Sequence, residues 1–246
     1  MSDDWDFFPL LVDDQPASIF VDLGIRENAP LKSHPIMAYL RVRMLRPRED
    51  GLSSQDEFEE LIGLEDKVTS SISHDGTSIY VGRNTSSGNR DFYFYTNDPA
   101  SFEIVARAAM RGFPAYQHET GARPDPTWKT YFEFLHPSKR SMRMIWNRRV
   151  CEQLEIRGDN LNHERLIDHL VLLPSLEAQL AFARGVSAKG FSVDSLPNEP
   201  GNEGQFSVEF SRTDRPAQID DVVLELFDEV TRLGGIYDGW GCHVEP

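Results

Sequence analysis

The pattern of apolar and polar positions repeats along the chain at a constant shift of 78 residues, which aligns Asp91–Lys139 with His169–Ala217 without a gap. Each copy starts with a short apolar run typical of a buried strand and continues with apolar positions at helical spacing that end at a glycine. After a loop, period-two alternation predicts a strand at Trp128–Phe132 in the first copy and at Phe206–Phe210 in the second. The pattern therefore predicts an internal repeat whose copies share the order β-α-β-β.

The second copy continues into two further elements. An apolar stripe predicts a helix from about Pro216 to Leu233, and a last strand is predicted at Ile236–Val244. The resulting order β-α-β-β-α-β is that of the ferredoxin-like fold, in which one antiparallel sheet carries both helices on one face. The predicted fold class is α+β, with a ferredoxin-like antiparallel sheet in each of two related domains.

The first copy lies inside a larger N-terminal region. A capping box that begins at Ser54 predicts a helix in this region. A polar stretch around Gly158 separates the two apolar regions and predicts the domain boundary, giving domains 1–157 and 158–246 of ordinary size. The further strands of the first domain are predicted at Trp5–Leu11, Ala17–Leu23, Pro35–Leu45 and Thr77–Gly82.

Charge limits the kind of partner. The chain has 40 acidic and 25 basic residues, a net charge of −15. Residues 158–246 contain 16 acidic and 6 basic residues, a net charge of −10, against −5 for the rest of the chain. A negative field repels nucleic acid and attracts basic protein segments. We therefore expect a basic protein segment as the partner and no direct contact with nucleic acid.

The predicted C-terminal helix carries acidic residues opposite its apolar stripe. This face is a candidate partner-binding surface, because an Arg-rich segment would match its charge. The alternative interpretation is a solvated acidic face without a partner. The candidate partner-binding residues on this helix are Asp221, Glu225, Asp228 and Glu229.

Four glycines, a tyrosine, an aspartate and a tryptophan fall within the segment Gly234–Cys242. In one interpretation the segment packs: a glycine caps the helix, other glycines leave one strand face bare, and Trp240 lies across a neighbouring strand or under a helix. In the other interpretation, Tyr237, Asp238 and Trp240 border a binding surface, since exposed aromatic residues are good anchors. These three residues complete the candidate partner-binding set.

Motifs of catalysis and metal binding are missing from the sequence. It contains no P-loop, GxSxG, HExxH or CxxC motif, and Cys151 and Cys242 lie too far apart to indicate a metal site or a disulfide framework. The acidic start does not resemble an export signal, and no apolar run approaches the ~20 residues of a membrane helix. We expect a non-enzymatic, cytoplasmic protein without a cofactor, a bound metal or a membrane span.

The run Tyr237-Asp-Gly-Trp-Gly241, at the end of a β-α-β-β-α-β unit, resembles the C-terminus of the RraB family, inhibitors of ribonuclease E. The resemblance extends back to about Asn160 and includes Ala188-Lys-Gly-Phe191. It implies a ferredoxin-like fold and a bacterial regulator that binds the C-terminal scaffold of ribonuclease E and slows RNA decay without catalysis. The chain departs from the family in its loop at 196–204, which has two acidic residues instead of many, and in its large N-terminal domain.

The N-terminal region, roughly Asp4–Glu155, resembles the uncharacterised domain-of-unknown-function family 695, and this resemblance implies no activity. The alternative function is an enzyme or small-molecule binder with its site in this domain. Arg41 and Arg43 share one face of a predicted strand and can clamp an anion, although a solvated strand face shows the same pattern. The other candidates for this site are Trp5, Asp6, Tyr93 and Tyr95.

Overall fold

The structure is a computed structural model that describes residues 2–201 and 204–245. The chain divides into two compact units, Met1–Ser138 and Lys139–Pro246. The boundary follows Ser138, so residues 139–157, which the sequence analysis placed in the first domain, belong to the second unit. Most of them form one long helix.

The position of the boundary changes the distribution of charge. Residues 1–138 contain 22 acidic and 13 basic residues, a net charge of −9. Residues 139–246 contain 18 acidic and 12 basic residues, a net charge of −6. The count for residues 158–246 is unchanged, but the second unit as a whole is less negative than the first, because residues 139–157 bring six basic side chains into it.

The first unit contains a six-stranded sheet and two helices, whose bounds are β1 (Trp5–Val12), β2 (Gln15–Asp22), β3 (Ile36–Arg43), α1 (Phe58–Ile72), β4 (Ser78–Ser86), β5 (Asn89–Thr96), α2 (Pro99–Met110) and β6 (His118–Pro124). The strand order is β1-β2-β4-β5-β3-β6, and all neighbours are antiparallel. Without the hairpin β1–β2, the elements β3-α1-β4-β5-α2-β6 have the ferredoxin-like arrangement.

The core of the first unit lies between the sheet and its two helices. Leu61 and Leu64 of α1 and Phe102 of α2 pack against Leu40 and Phe94, whose side chains point to the same face of the sheet. Full burial of such side chains stabilises the fold by about 1.5–3 kcal/mol each. The apolar stripes of the helices and the alternation of the strands therefore meet in one layer.

The second unit has the elements α3 (Lys139–Ile156), β7 (Arg165–Leu173), α4 (Leu176–Ala188), β8 (Ser192–Ser195), β9 (Phe206–Asp214), α5 (Ile219–Arg232) and β10 (Ile236–Gly241). Its antiparallel sheet has the order β10-β7-β9-β8. This order confirms the ferredoxin-like prediction, and α4 and α5 cover one face. In the loop between β8 and β9, Glu203 lies outside the described residues.

The segments that open the two copies of the sequence pattern take different places in the two units. Phe92–Tyr95 lies in β5 and Leu170–Leu173 lies in β7; both are central strands, and a helix follows each. However, β5 is the third strand of its ferredoxin-like set, whereas β7 is the first. The shift of 78 residues therefore superimposes the second half of one set on the first half of the other.

The predicted strand at Trp128–Phe132 is wrong. Trp128 has a left-handed backbone with φ 56°, and Tyr131–Leu135 forms a π-helical turn. The buried Trp128 ring stacks on Tyr95 with 3.9 Å between ring centroids. Asp125 accepts hydrogen bonds from the backbone N–H groups of Lys129 and Thr130, just before the turn, and from the Tyr95 hydroxyl. These contacts stabilise a turn where local alternation favours a strand.

Candidate partner-binding surface

The acidic face of α5 forms as the sequence predicts. Val223, Leu226 and Val230 are buried at helical spacing, so the opposite side of the helix faces water. On that side, Asp221, Glu225 and Asp228 are exposed, and Glu229 is half-buried.

Basic side chains of the same unit pair with three of these four acids. The Lys189 ammonium donates hydrogen bonds to Glu229 and, at 2.9 Å, to Glu225. The hydrogen bond from Lys189 lowers the pKa of Glu225, which is therefore charged at neutral pH. Arg140 on α3 lies 3.7 Å from Asp228. For Asp221, the described part of the chain offers no ion pair.

Tyr237 lies in the core and not at a surface. It is 1% exposed, and a hydrogen bond of 2.7 Å joins its hydroxyl to Nδ1 of the buried His169. The His169 ring also stacks on Phe210, with 5.3 Å between ring centroids. Burial lowers the pKa of His169 to about 4, so the ring is neutral at pH 7. The interpretation of Tyr237 as an exposed anchor is corrected by this burial.

A β-bulge in β10 decides where the Trp240 ring lies. Tyr237 is opposite Val171 on β7 and Gly239 is opposite Leu170, so Asp238 is an extra residue without a partner on β7. In a regular strand, residues 237 and 240 point to opposite faces. The extra residue puts Trp240 on the same face as Tyr237, toward the helices.

Trp240 connects β10 to α3. Its indole N–H donates a hydrogen bond of 2.8 Å to Oδ1 of Asn147, and the amide of Asn147 donates a bond of 2.7 Å to Asp220 at the start of α5. Trp240 is half-buried against the core. Packing therefore accounts for its position, while Asp238 is exposed at the bulge.

Sequence reasoning missed the part that α3 plays beside these residues. The Arg143 guanidinium lies over the rings of Trp146 at 4.6 Å, Tyr237 at 5.4 Å and Phe227 at 5.6 Å. Burial lowers the pKa of Arg143. A signal for this packing was present in the sequence, because α3 carries the apolar residue Ile145, which is fully buried, among its basic residues.

In the first unit, Arg41 is already paired within the chain. Its guanidinium donates two hydrogen bonds, of 2.8 and 2.7 Å, to both carboxylate oxygens of Asp91, and a third of 3.4 Å to Glu119. Arg43 instead lines an open cleft of about 1020 Å³ whose other charged residues are Glu49 and Asp50. The two arginines therefore do not form one anion clamp.

The remaining candidates of the first unit also lie apart. The Trp5 ring stacks on Phe20 and on Tyr80, with 5.0 and 5.2 Å between ring centroids. The Tyr95 hydroxyl donates a hydrogen bond to Asp125 beneath the Trp128 turn. Asp6 is almost buried and accepts a hydrogen bond from a backbone N–H, and Tyr93 packs edge-on against Phe134. These side chains stabilise the unit instead of lining a shared pocket.

Two further features bear on possible chemistry. Within residues 2–201 and 204–245, no group of three or more His, Cys, Asp or Glu side chains is arranged to hold a metal ion. None of the described helices has the length and apolar content of a membrane span.

The two units together define an α+β protein with ferredoxin-like sheets. Residues 3–136, more than half of the chain, match the model of a family of unknown function (DUF695), and the chain belongs to this family. Residues 145–242 match the family described as Regulator of ribonuclease activity B. Both resemblances drawn from the sequence are thus confirmed. The second match begins inside α3, which agrees with the place of this helix in the second unit.

Comparisons with other proteins add little. No curated protein matches the chain. A solved structure described as a glycine cleavage system transcriptional repressor has 11% identity and a TM-score of 0.25, over 85% of this chain and 98% of its own. An unknown protein from Galdieria sulphuraria has 12% identity and a TM-score of 0.22, over 83% of this chain and 96% of its own. Scores this low support no functional argument.

Proposed function

We propose that the chain is a non-enzymatic, cytoplasmic regulator that binds a ribonuclease through a basic segment of that enzyme. The observation that carries the proposal is the match of residues 145–242 to the family of ribonuclease regulators. Ribonuclease E is the first candidate for the partner, because the resemblance of the Tyr237–Gly241 run is to its regulators.

The proposed contact surface is the acidic face of α5 with the neighbouring bulge of β10. Asp221, Glu225, Asp228 and Glu229 supply negative charge, and the exposed Asp238 extends it. Tyr237 and Trp240 serve this surface indirectly, because they hold β10 against His169 and Asn147.

Existing ion pairs do not prevent such binding. The carboxylates of Asp228 and Glu225 are exposed, and surface pairs such as theirs with Arg140 and Lys189 contribute about 0–1 kcal/mol. An arginine of the partner can therefore replace Arg140 or Lys189 at these two acids at little cost. Binding is favoured because complementary charges speed the association of the two proteins and fix the alignment of the basic residues of the partner with the acids of α5.

The test is the binding kinetics of the full chain with the C-terminal scaffold of ribonuclease E. In the variant Glu225→Lys/Asp228→Lys/Glu229→Lys we expect association to slow by at least tenfold at low salt, with a smaller change in dissociation. In the unaltered chain, added salt should slow association, because the Debye length falls from about 30 Å at 0.01 M to about 3 Å at 1 M.

The matched control is Glu59→Lys/Asp66→Lys/Glu103→Lys, which changes the net charge equally on exposed positions of the first unit. It should retain most of the association rate. An association rate that responds neither to salt nor to charge reversal on α5 would contradict the proposed surface. Trp240→Ala should lower the thermal midpoint more than it raises the dissociation rate, because the ring is half-buried and bonded to Asn147.

A further inference from the structure

The face of the second sheet that points away from α4 and α5 has an unexpected row of apolar side chains. On β7, Ile167, His169 and Val171 point into the core, and Leu166, Leu170 and Leu172 point outward. The solvated face of an antiparallel sheet is normally polar. Here Leu166 is 56% exposed, and Ile236 of β10, opposite Leu172, is 48% exposed. An apolar row on a central strand is typical of a contact surface.

One acidic residue lies within this row and two lie beside it. Asp168 holds the outward position of β7 between Leu166 and Leu170, and Glu209 and Asp194 are on the neighbouring strands β9 and β8. Asp168, Asp194 and Glu209 are exposed around a cavity of about 330 Å³ that Leu166 and Leu170 also line. None of the three carboxylates forms an ion pair within the described chain, and no Lys or Arg is among the lining residues. This side of the sheet is therefore uniformly negative.

The arginines of the two central strands point away from this face. Arg165 of β7 is buried in an ion pair with Asp159. Arg212 of β9 lies over the Phe191 ring at 4.1 Å and pairs with Asp214. The basic charge of these strands is thus neutralised on the core side, and the outer face keeps its negative charge.

Two glycines keep the adjoining strand bare. On β10, Gly239 is opposite Leu170 and Gly241 is opposite Asp168. A Cβ atom at either glycine would meet nothing within 4 Å, and neither glycine has a positive φ. Internal packing therefore does not require glycine at these positions. Their effect is to leave the outer surface of β10 without side chains beside Leu170. We call the surface formed by Leu166, Leu170, Leu172 and these two glycines the groove.

We propose that this groove binds an amphipathic basic helix of a partner protein, with the apolar stripe of the helix on the β7–β10 row and its Arg or Lys residues toward Asp168, Asp194 and Glu209. The outward positions of β7 from Leu166 to Leu172 span roughly 20 Å, the length of about 13 helical residues. A nucleic acid does not fit, since its charge has the same sign as the rim. The groove lies on the side of the sheet opposite α5, so this surface is separate from the acidic face of α5.

The test uses a synthetic 14-residue helical peptide with leucines at i, i+3, i+4 and i+7 spacing and arginines along one border. Its binding to the full chain is measured by fluorescence anisotropy. The double variants Leu166→Ser/Ile236→Ser and Asp168→Asn/Glu209→Gln should each weaken binding at least tenfold. All four positions are exposed, so both variants should keep the thermal midpoint of the unaltered chain.

The matched control is Leu180→Ser/Glu177→Gln on α4, which removes an exposed leucine and an acid from the other side of the sheet and should change affinity by less than twofold. Peptides with serine in place of leucine, or glutamate in place of arginine, should bind at least tenfold more weakly. Equal binding of the serine peptide, or full binding by both groove variants, would overturn the proposal. Self-association of the chain that Leu166→Ser abolishes would also overturn it, because a second copy would then occupy the groove.

The proposal for the groove and the proposal for the ribonuclease contact can be contradicted independently of each other. If the α5 charge-reversal variant lost peptide binding while both groove variants kept it, the proposal that the peptide binds in the groove would be overturned. Retained peptide binding in a chain that does not bind ribonuclease E would support the groove and contradict only the proposed function.

Discussion

His169 and Tyr237 form a buried polar pair in the core of the second unit. Both are buried, and their side chains are joined by one hydrogen bond. The other ring nitrogen of His169, Nε2, is buried without a hydrogen-bond partner among the described residues. The His169 ring is therefore more stable in its neutral form within this core, since protonation would place a charge in an apolar environment.

Stability should fall in mild acid because of His169. Its pKa is about 4 in the folded chain, against about 6.5 when it is exposed in the unfolded chain. The unfolded chain therefore takes up the proton first, and the stability due to neutral His169 is complete above about pH 6.5 and is lost between about pH 6.5 and 4. Urea unfolding at pH 7 and pH 5 measures this loss.

The control for this prediction is the double variant His169→Phe/Tyr237→Phe, which keeps the rings and removes the titrating group. Its free energy of unfolding should change less between pH 7 and pH 5 than that of the unaltered chain. An equal change in both proteins would assign the pH dependence to carboxylates elsewhere.

At the scale of elements, α5 and β9 differ in how deeply they bury their phenylalanines. Both Phe210 and Phe227 follow apolar patterns that predict core positions. Phe210 is 1% exposed, but Phe227 is only partly buried, at the edge of the core near Arg143. The apolar pattern of the sequence shows which face of a helix or strand points to the core. How deeply a residue at the edge of that face is buried depends on the neighbouring element.

Phe210→Ala should therefore lower the free energy of unfolding by about 3–5 kcal/mol, because it leaves a cavity among packed side chains. Phe227→Ala should cost less, below about 3 kcal/mol, because its site is open to solvent on one side. Denaturant titration of the two variants compares them directly. A larger loss for Phe227→Ala would contradict the packing described here.

At the scale of the whole molecule, the division into units decides which segments fold together. The second unit includes α3, which supplies the buried residues Ile145 and Asn147 and the hydrogen bond from Asn147 to Trp240. These contacts connect α3 to β10 and α5. A domain boundary after residue 157 would place α3 in a different domain from β10 and α5.

A fragment of residues 139–246 should therefore unfold at a higher temperature than a fragment of residues 158–246. The shorter fragment exposes the apolar surface that α3 covers and leaves Trp240 and Asp220 without Asn147. Circular dichroism melting of both fragments tests this expectation. Equal midpoints would place the boundary at 157/158, as the sequence predicts.

The sequence by itself determined the order of strands and helices from β7 to β10, the acidic side of α5 and both family resemblances. Each of these depends on residues that are close in the chain, where helical or alternating spacing and a short motif are sufficient. Tertiary structure decided the turn at Trp128, the face of Trp240, the burial of Tyr237 and the pairing of Glu225 with Lys189. These features depend on contacts between distant segments, and on a single bulge at Asp238 that reverses alternation, so local spacing does not determine them.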